Sequence, residues 1–176
     1  MISLPGSAVP VQMLLGDYFP AIINGDLFYL SGMLMRRNSV AQAGPFNERL
    51  RYFNDWEFFS RLCLTGPGAH VDHDAFRRET GRSDQISRAR PLTAMPRRHL
   101  FILRNLLRQA PASARYRAEL ACAMADACYA FGRSLMQVQR FGWGRRYLAR
   151  CLRQRHKPVR SAVWFVFGPV IRRFFS

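Results

Sequence analysis

The pattern of hydrophobic positions changes near residue 90. Before that point, apolar residues come in short groups separated by Gly, Pro and Asn, which is typical of short strands and helices joined by turns. After it, they recur every three or four residues, which is typical of amphipathic helices. The sequence therefore predicts an α/β region over 1–90, a helical extension over 91–176 and a mostly helical protein overall.

Three short elements are predicted in the first part of the α/β region. Residues 11–15 are compatible with either a short helix or a strand. Residues 28–35 are rich in strand formers and predict a strand. The residues at 38–39 can cap a short helix, which Gly44 and Pro45 would close.

A clearer helix is predicted from Asn54 onwards. Asn54 is a suitable N-cap, and Glu57, three residues later, would complete a capping box. The apolar face contains Trp56, Phe59 and Cys63. We expect this helix to stop at 66–68 and a short strand to follow over 69–72.

Three amphipathic helices and one final apolar segment are predicted after Pro91. Their apolar stripes contain Leu100, Leu103 and Leu107 in the first, Leu120, Met124, Cys128, Phe131, Leu135 and Val138 in the second, and Trp143, Tyr147, Leu148 and Cys151 in the third. Pro158 can start the final segment, which Gly168 and Pro169 are expected to break.

Positive charge is concentrated in the helical extension. Residues 1–90 contain ten Arg against nine Asp and Glu, whereas residues 91–176 contain sixteen Arg and one Lys against Glu119 and Asp126 alone. A surface of this kind suits an anionic partner, either nucleic acid or an acidic membrane face. Nucleic acid is the less favoured partner, because no RNP-like, zinc-finger or helix-turn-helix pattern is present.

The last residues suggest how the chain would bind a membrane surface. We expect the aromatic side chains to enter the membrane interface while the arginines contact acidic headgroups. The residues concerned are Trp164, Phe165, Phe167, Phe174 and Phe175 with Arg160, Arg172 and Arg173. The alternative is that these aromatics pack on the preceding helices as core.

Composition narrows the cellular setting. None of the four cysteines forms a CxxC pair, so a disulfide scaffold or zinc ribbon is not expected, and reduced thiols fit a cytosolic protein. No stretch reaches the roughly 18–20 apolar residues of a membrane span. The predicted location is cytoplasmic and peripheral on the inner face of the cell membrane.

An ordered series of short motifs runs through the α/β region. It contains Ser31-Gly32-Met33-Leu34-Met35-Arg36-Arg37, Gly44-Pro45-Phe46-Asn47-Glu48-Arg49-Leu50, Asn54-Asp55-Trp56-Glu57, Gly66, Arg77-Arg78 and Ile86-Ser87. This order resembles the second half of the catalytic domain of family 2 inverting glycosyltransferases, which have the GT-A fold. The resemblance covers roughly a third of the chain. It implies transfer of a sugar from a nucleotide-sugar donor to a saccharide or lipid-linked acceptor, as in cell-envelope polysaccharide synthesis.

The resemblance assigns roles to particular residues. Asp55 matches the second member of the family's acidic pair, which acts as the base that removes the acceptor hydroxyl proton. Trp56 would stack on a sugar ring, although a buried aromatic fits the same spacing. Arg77 and Arg78 would meet the diphosphate of the donor.

Departures from the family pattern are also visible. Asn54 replaces the first acid of the pair, and Arg78-Glu79-Thr80 replaces the Arg-x-His of many relatives. The family's nucleotide-binding half, with its Asp-x-Asp motif, has no counterpart, so the Mg or Mn ion expected for the complete enzyme has no ligands here. We expect a truncated or split chain that is weakly active or inactive by itself. The alternatives are a non-catalytic interaction module and a basic nucleic-acid-binding protein.

Overall fold

The computed structural model describes most of the chain and divides it into two units. The described residues are 12–25, 28–50, 52–72, 91–109 and 114–171. By their internal contacts the units are 1–82 with 111–113, and 83–110 with 114–176. The described residues are mostly helical with one small sheet, as the sequence predicts.

In its described residues, the first unit combines three α-helices with a two-stranded sheet. Its elements are β1 (Gln12–Gly16), α1 (Phe19–Ile22), α2 (Arg37–Ala43), α3 (Asn54–Cys63) and β2 (Gly68–Asp72). The strands are antiparallel, with Gln12 opposite Asp72 and Gly16 opposite Gly68. Residues 12–15 are therefore strand, which settles the choice between helix and strand, and the strand predicted over 69–72 is confirmed. The core lies where α3 packs on α1 and α2.

The strand predicted over 28–35 is wrong. Only a 3-10 turn forms there, over Leu30–Gly32, and the Leu34 side chain is fully exposed. A strand needs a neighbour for its backbone N–H and C=O groups. In the sheet formed by the described residues, β1 and β2 pair only with each other, so strand propensity alone does not produce a strand here.

The turn after α2 follows the prediction at its C-terminal end. Gly44 has φ 76°, a conformation that favours glycine, and its N–H donates to the carbonyl of Val40. The start differs, because α2 begins at Arg37 and no side chain caps it. The residue predicted as its cap, Asn38, is therefore inside the helix.

The second unit is a group of helices in which the longest contacts the other three. The helices are α4 (Ala94–Arg108), α5 (Arg117–Gln137), α6 (Phe141–Arg153) and α7 (Pro158–Ile171), with a 3-10 turn at Ala114–Tyr116. Helix α5 packs against α4, α6 and α7. The fully buried side chains include Leu103, Leu106, Leu120, Met136 and Leu148. The predicted positions of these helices are confirmed.

Three predicted core positions are wrong. Val138 lies just after the end of α5 and is exposed. In α4 the buried stripe contains Leu106, whereas Leu107 is exposed. In α6 Trp143 is 57% exposed, and the guanidinium of Arg146 lies 5.0 Å from the centre of its ring. A large aromatic residue can leave the core when a cation covers its face.

The predicted break at Gly168 and Pro169 is also wrong, because α7 continues through both residues. Proline has no N–H, so the carbonyl of Phe165 loses its usual partner four residues later. Arg145 of α6 replaces that partner, since its Nε donates to the Phe165 carbonyl at 3.3 Å. A contact between helices thus compensates for the proline.

The aromatic residues of the last segment divide into two groups. Trp164 and Phe165 are half-buried, whereas Phe167 is exposed. The other residues predicted to meet a membrane, Arg172, Arg173, Phe174 and Phe175, lie outside the described residues. Within the described ranges, no helix has both the length and the apolar character needed to cross a bilayer.

Candidate functional site

The start of α3 is set by an unusual backbone conformation. Phe53, the residue before the helix, has φ 62° and ψ 25°, which is rare for a bulky residue. Its buried ring packs edge-on against Trp56, with 6.1 Å between ring centres. This packing stabilises the left-handed conformation, so that the chain enters α3 abruptly and places Asn54 and Asp55 in its first turn.

The first N–H groups of α3 are satisfied locally. Asn54 Oδ1 accepts from the N–H of Asp55 at 2.9 Å, and Asp55 Oδ1 accepts from the N–H of Trp56 at 2.9 Å. The positive end of the helix dipole also stabilises a carboxylate at this position. Asp55 is therefore held as a hydrogen-bond acceptor at the start of a well-packed helix.

One oxygen of the Asp55 carboxylate is left for other chemistry. The side chain is partly exposed, and Oδ1 is used by the Trp56 N–H. In the part of the chain that the structure describes, Oδ2 accepts no hydrogen bond. Its lone pairs can accept a proton or a hydrogen bond from a ligand.

Trp56, which is predicted to stack on a sugar ring or to be buried, is buried. It has no exposed surface, and its indole Nε1 donates to the carbonyl of Ile22 at 2.6 Å. The indole therefore links α3 to the end of α1. This corrects the sugar-stacking prediction, because no face of the ring is open to a ligand.

The capping box predicted for Asn54 and Glu57 is wrong. Glu57 is buried and forms a two-pronged ion pair with Arg61, with Nε to Oε1 and Nη2 to Oε2 both at 2.9 Å. The pair spans one turn of α3, and the carboxylate does not reach back to the N-cap. Glu57 is therefore a structural residue.

Arg61 connects this ion pair to the turn after α2. Its guanidinium donates to the carbonyl of Ala43 and, at 2.7 Å, to the carbonyl of Pro45. Phe46, the next residue of the turn, stacks on Phe58 of α3 with 4.3 Å between ring centres. These contacts consequently hold the turn at 44–46 against α3. The sequence suggests the Glu57–Arg61 pair through its i, i+4 spacing, but nothing in it identifies the two carbonyl acceptors.

The remaining predicted site residues, Arg77 and Arg78, lie outside the described residues. Among the described side chains, no group of three or more His, Cys, Asp or Glu could hold a metal ion.

Comparison with known proteins gives no relative for this site. No protein-family model, no curated protein and no solved structure matches the chain.

Proposed function

We propose that residues 1–90 are the acceptor-side part of an inverting, family 2-like glycosyltransferase with a GT-A domain, and that Asp55 is its base. The ordered series of motifs over residues 31–87 carries this proposal. The α/β assignment of this region to a GT-A half belongs to the same proposal. The nucleotide sugar, and a glycan or lipid-linked acceptor, are its substrates.

The geometry of Asp55 is compatible with the role. In a single displacement, the acceptor hydroxyl oxygen forms the new bond to the anomeric carbon, and its proton passes to the base. Asp55 Oδ2 would take that proton, while the bond to the nucleoside diphosphate breaks and the diphosphate leaves with the bonding electron pair. The Oδ1 contact to the Trp56 N–H holds the carboxylate in one orientation meanwhile.

The rest of α3 supports the same role by keeping the carboxylate in place. Buried Trp56 fixes α3 to α1, and the Glu57–Arg61 pair fixes it to the turn at 44–46. A base that is held by rigid packing reacts without a large ordering cost. Arg77 and Arg78 are proposed to face the leaving diphosphate, and no step is assigned to a metal ion.

The test is Asp55→Asn in the native protein isolated from its source cells, so that any additional segment or partner is present. The assay measures release of nucleoside diphosphate from uridine, guanosine and thymidine diphosphate sugars, with a lipid and glycan extract of the same cells as acceptor. The asparagine keeps an Oδ1 for the Trp56 N–H, so we expect an unchanged fold. Loss of general base catalysis should lower turnover by roughly 100-fold or more.

The matched control is Glu48→Gln, which removes an exposed carboxylate from the preceding turn. We expect this variant to keep wild-type turnover. Full turnover in Asp55→Asn, with circular dichroism showing an intact fold, would contradict the proposal. Turnover that falls equally in both variants would show a general charge effect and would also contradict it.

A further inference from the structure

The outer face of α7 is a continuous apolar stripe. Val159, Val163, Val166 and Val170 follow one another at intervals of four, three and four residues, which places them on one side of a helix. These side chains, and Phe167 beside them, are 40–75% exposed. The opposite side of α7, with Ser161 and Gly168, is buried. We call this outer set the valine face.

Cations lie on α7 and on the neighbouring helix α6. Arg160 is exposed on α7 itself, and Arg145 of α6 lies against α7 through its bond to the Phe165 carbonyl and its position 5.8 Å from the centre of the Phe165 ring. The exposed Trp143 and Arg146 lie on the same α6 helix. Residues 91–176 carry seventeen Arg and Lys but only two acids, and one of those acids, Asp126, is bound by Lys157 and His156.

From this arrangement we infer that α7 docks the second unit on an anionic lipid bilayer, with the valine face inserted in the interface and the arginines on the headgroups. The fourteen residues of α7 span about 21 Å, which is less than the roughly 30 Å of a hydrocarbon core. The helix therefore lies in the plane of the membrane. This inference does not depend on the proposed glycosyl transfer.

The chemistry of the face favours a bilayer over two other occupants. A valine side chain can neither donate nor accept a hydrogen bond, so the valine face adds nothing to contacts with phosphates or base edges of nucleic acid. A second copy of the chain would bring two strongly basic units together, and their like charges would repel. An acidic bilayer interface accepts both the apolar side chains and the cations.

The identity of the inserted residues differs from the sequence expectation. Trp164 and Phe165 are half-buried and turned from the exposed stripe, so the valines join Phe167 as the membrane-facing residues in their place. The reason is the position of the small residues, because Ser161 and Gly168 set which side of α7 can approach the other helices closely. The bulky aromatics next to that side follow it toward the helices.

The experiment is flotation of the full chain with vesicles of phosphatidylcholine containing about a third phosphatidylglycerol, at about 0.15 M salt. Vesicles of phosphatidylcholine alone are the lipid control. The test variant carries Val163→Ser and Val166→Ser, which leave the charge unchanged at exposed positions. The matched control is Leu15→Ser, an equally apolar and exposed position on β1 of the other unit.

We expect wild type and Leu15→Ser to bind the anionic vesicles, and the double serine variant to bind at least about tenfold more weakly because its buried apolar area is reduced. Arg160→Gln should weaken binding by roughly fivefold, the share of one basic residue at an acidic surface. An environment-sensitive fluorophore on Val166→Cys, in a Cys122→Ser background, should show a blue shift only with anionic vesicles.

Four results would overturn the inference. One is the absence of binding to anionic vesicles. A second is binding that the serine variant leaves unchanged, which would mean adsorption by charge alone. A third is equal loss of binding in Leu15→Ser and the double serine variant. The fourth is a preference for duplex DNA or for self-association, seen as retention or dimerisation without vesicle binding.

Discussion

Replacing Gly144 by alanine should destabilise the second unit, although alanine normally favours a helix. Two glycines, Gly144 of α6 and Gly168 of α7, lie against the buried side chain of Met136, and Gly132 of α5 lies against the Gly144 carbonyl. A Cβ at Gly144 would lie 2.7 Å from Met136 Sδ, 2.9 Å from Met136 Cγ and 3.0 Å from the carbonyl oxygen of Gly132. The two distances to Met136 are shorter than a Cβ contact allows, and the Met136 side chain is fully buried, with no exposed side toward which it could move.

The magnitude follows from two opposing effects. Alanine gains up to about 1 kcal/mol over glycine in a helix, and insertion of a methyl group into a tight contact costs about 1–3 kcal/mol. Gly142→Ala is the matched control, because it lies in the same helix and a Cβ there would have no neighbour within 4 Å. Gly142→Ala should raise the free energy of unfolding slightly. The free energy of unfolding of Gly144→Ala should be about 1–3 kcal/mol lower than that of Gly142→Ala.

Thermal unfolding followed by circular dichroism, supported by urea unfolding, measures this difference. About 1 kcal/mol corresponds to roughly 2–4 °C in Tm for a chain of this size. Combining Gly144→Ala with Met136→Ala should cost less than the sum of the single changes, because the new methyl group fills part of the cavity. Equal stability of the two alanine variants, or strict additivity in the double variant, would refute the close approach of α5 and α6 at Met136.

Two further predictions concern titratable groups. Partial burial raises the pKa of the Asp126 carboxyl, but hydrogen bonds and charge from Lys157 and His156 outweigh this and hold that pKa below its ordinary value of 3.8. The bonded carboxylate therefore stabilises the fold above about pH 4, and its contribution is lost as the pH falls through the lowered pKa. Asp126→Asn should lower the free energy of unfolding by roughly 0.5–1 kcal/mol at neutral pH, as measured by urea unfolding. The difference from wild type should shrink at lower pH, and a difference that does not change with pH would contradict this. Among the thiols, burial and then the Asp17 carboxylate raise the pKa of Cys63 to about 12. Burial and then the Cys128 thiol raise the pKa of Cys151 to about 11. Burial also raises the pKa of Cys128. At about pH 8 a thiol reagent should therefore modify only the exposed Cys122 rapidly, and Cys122→Ser should abolish this fast phase. A fast phase that persists would contradict the raised pKa values of the half-buried Cys63 and the buried Cys128 and Cys151.

The helices could be predicted because their signals are local. Gly44 ends α2 through its own left-handed backbone, and α5 is marked by an apolar stripe that needs no information from elsewhere in the chain. The strand over 28–35 could not be excluded from the sequence, since it depends on whether a partner strand is present. The passage of α7 through Pro169 depends on Arg145, twenty residues before Phe165, which supplies the missing donor.

The candidate site was predictable to a similar extent. The position of Asp55 in the first turn of α3 follows from its neighbours in sequence. The burial of Trp56 does not follow from its neighbours in sequence, because its indole bonds to the carbonyl of Ile22, thirty-four residues away. Likewise, the role of Arg61 arises from carbonyls in a turn that folds back onto α3.

The measurement that tests the proposed function most directly is the anomeric configuration of a transferred sugar. The native protein from its source cells would be incubated with an α-linked nucleotide sugar and the acceptor extract, and the product would be analysed by proton NMR. A single displacement assisted by one base inverts the anomeric carbon, so the account predicts a β-linked product. A product that retains the α configuration, or no transfer from any of the donors, would contradict it.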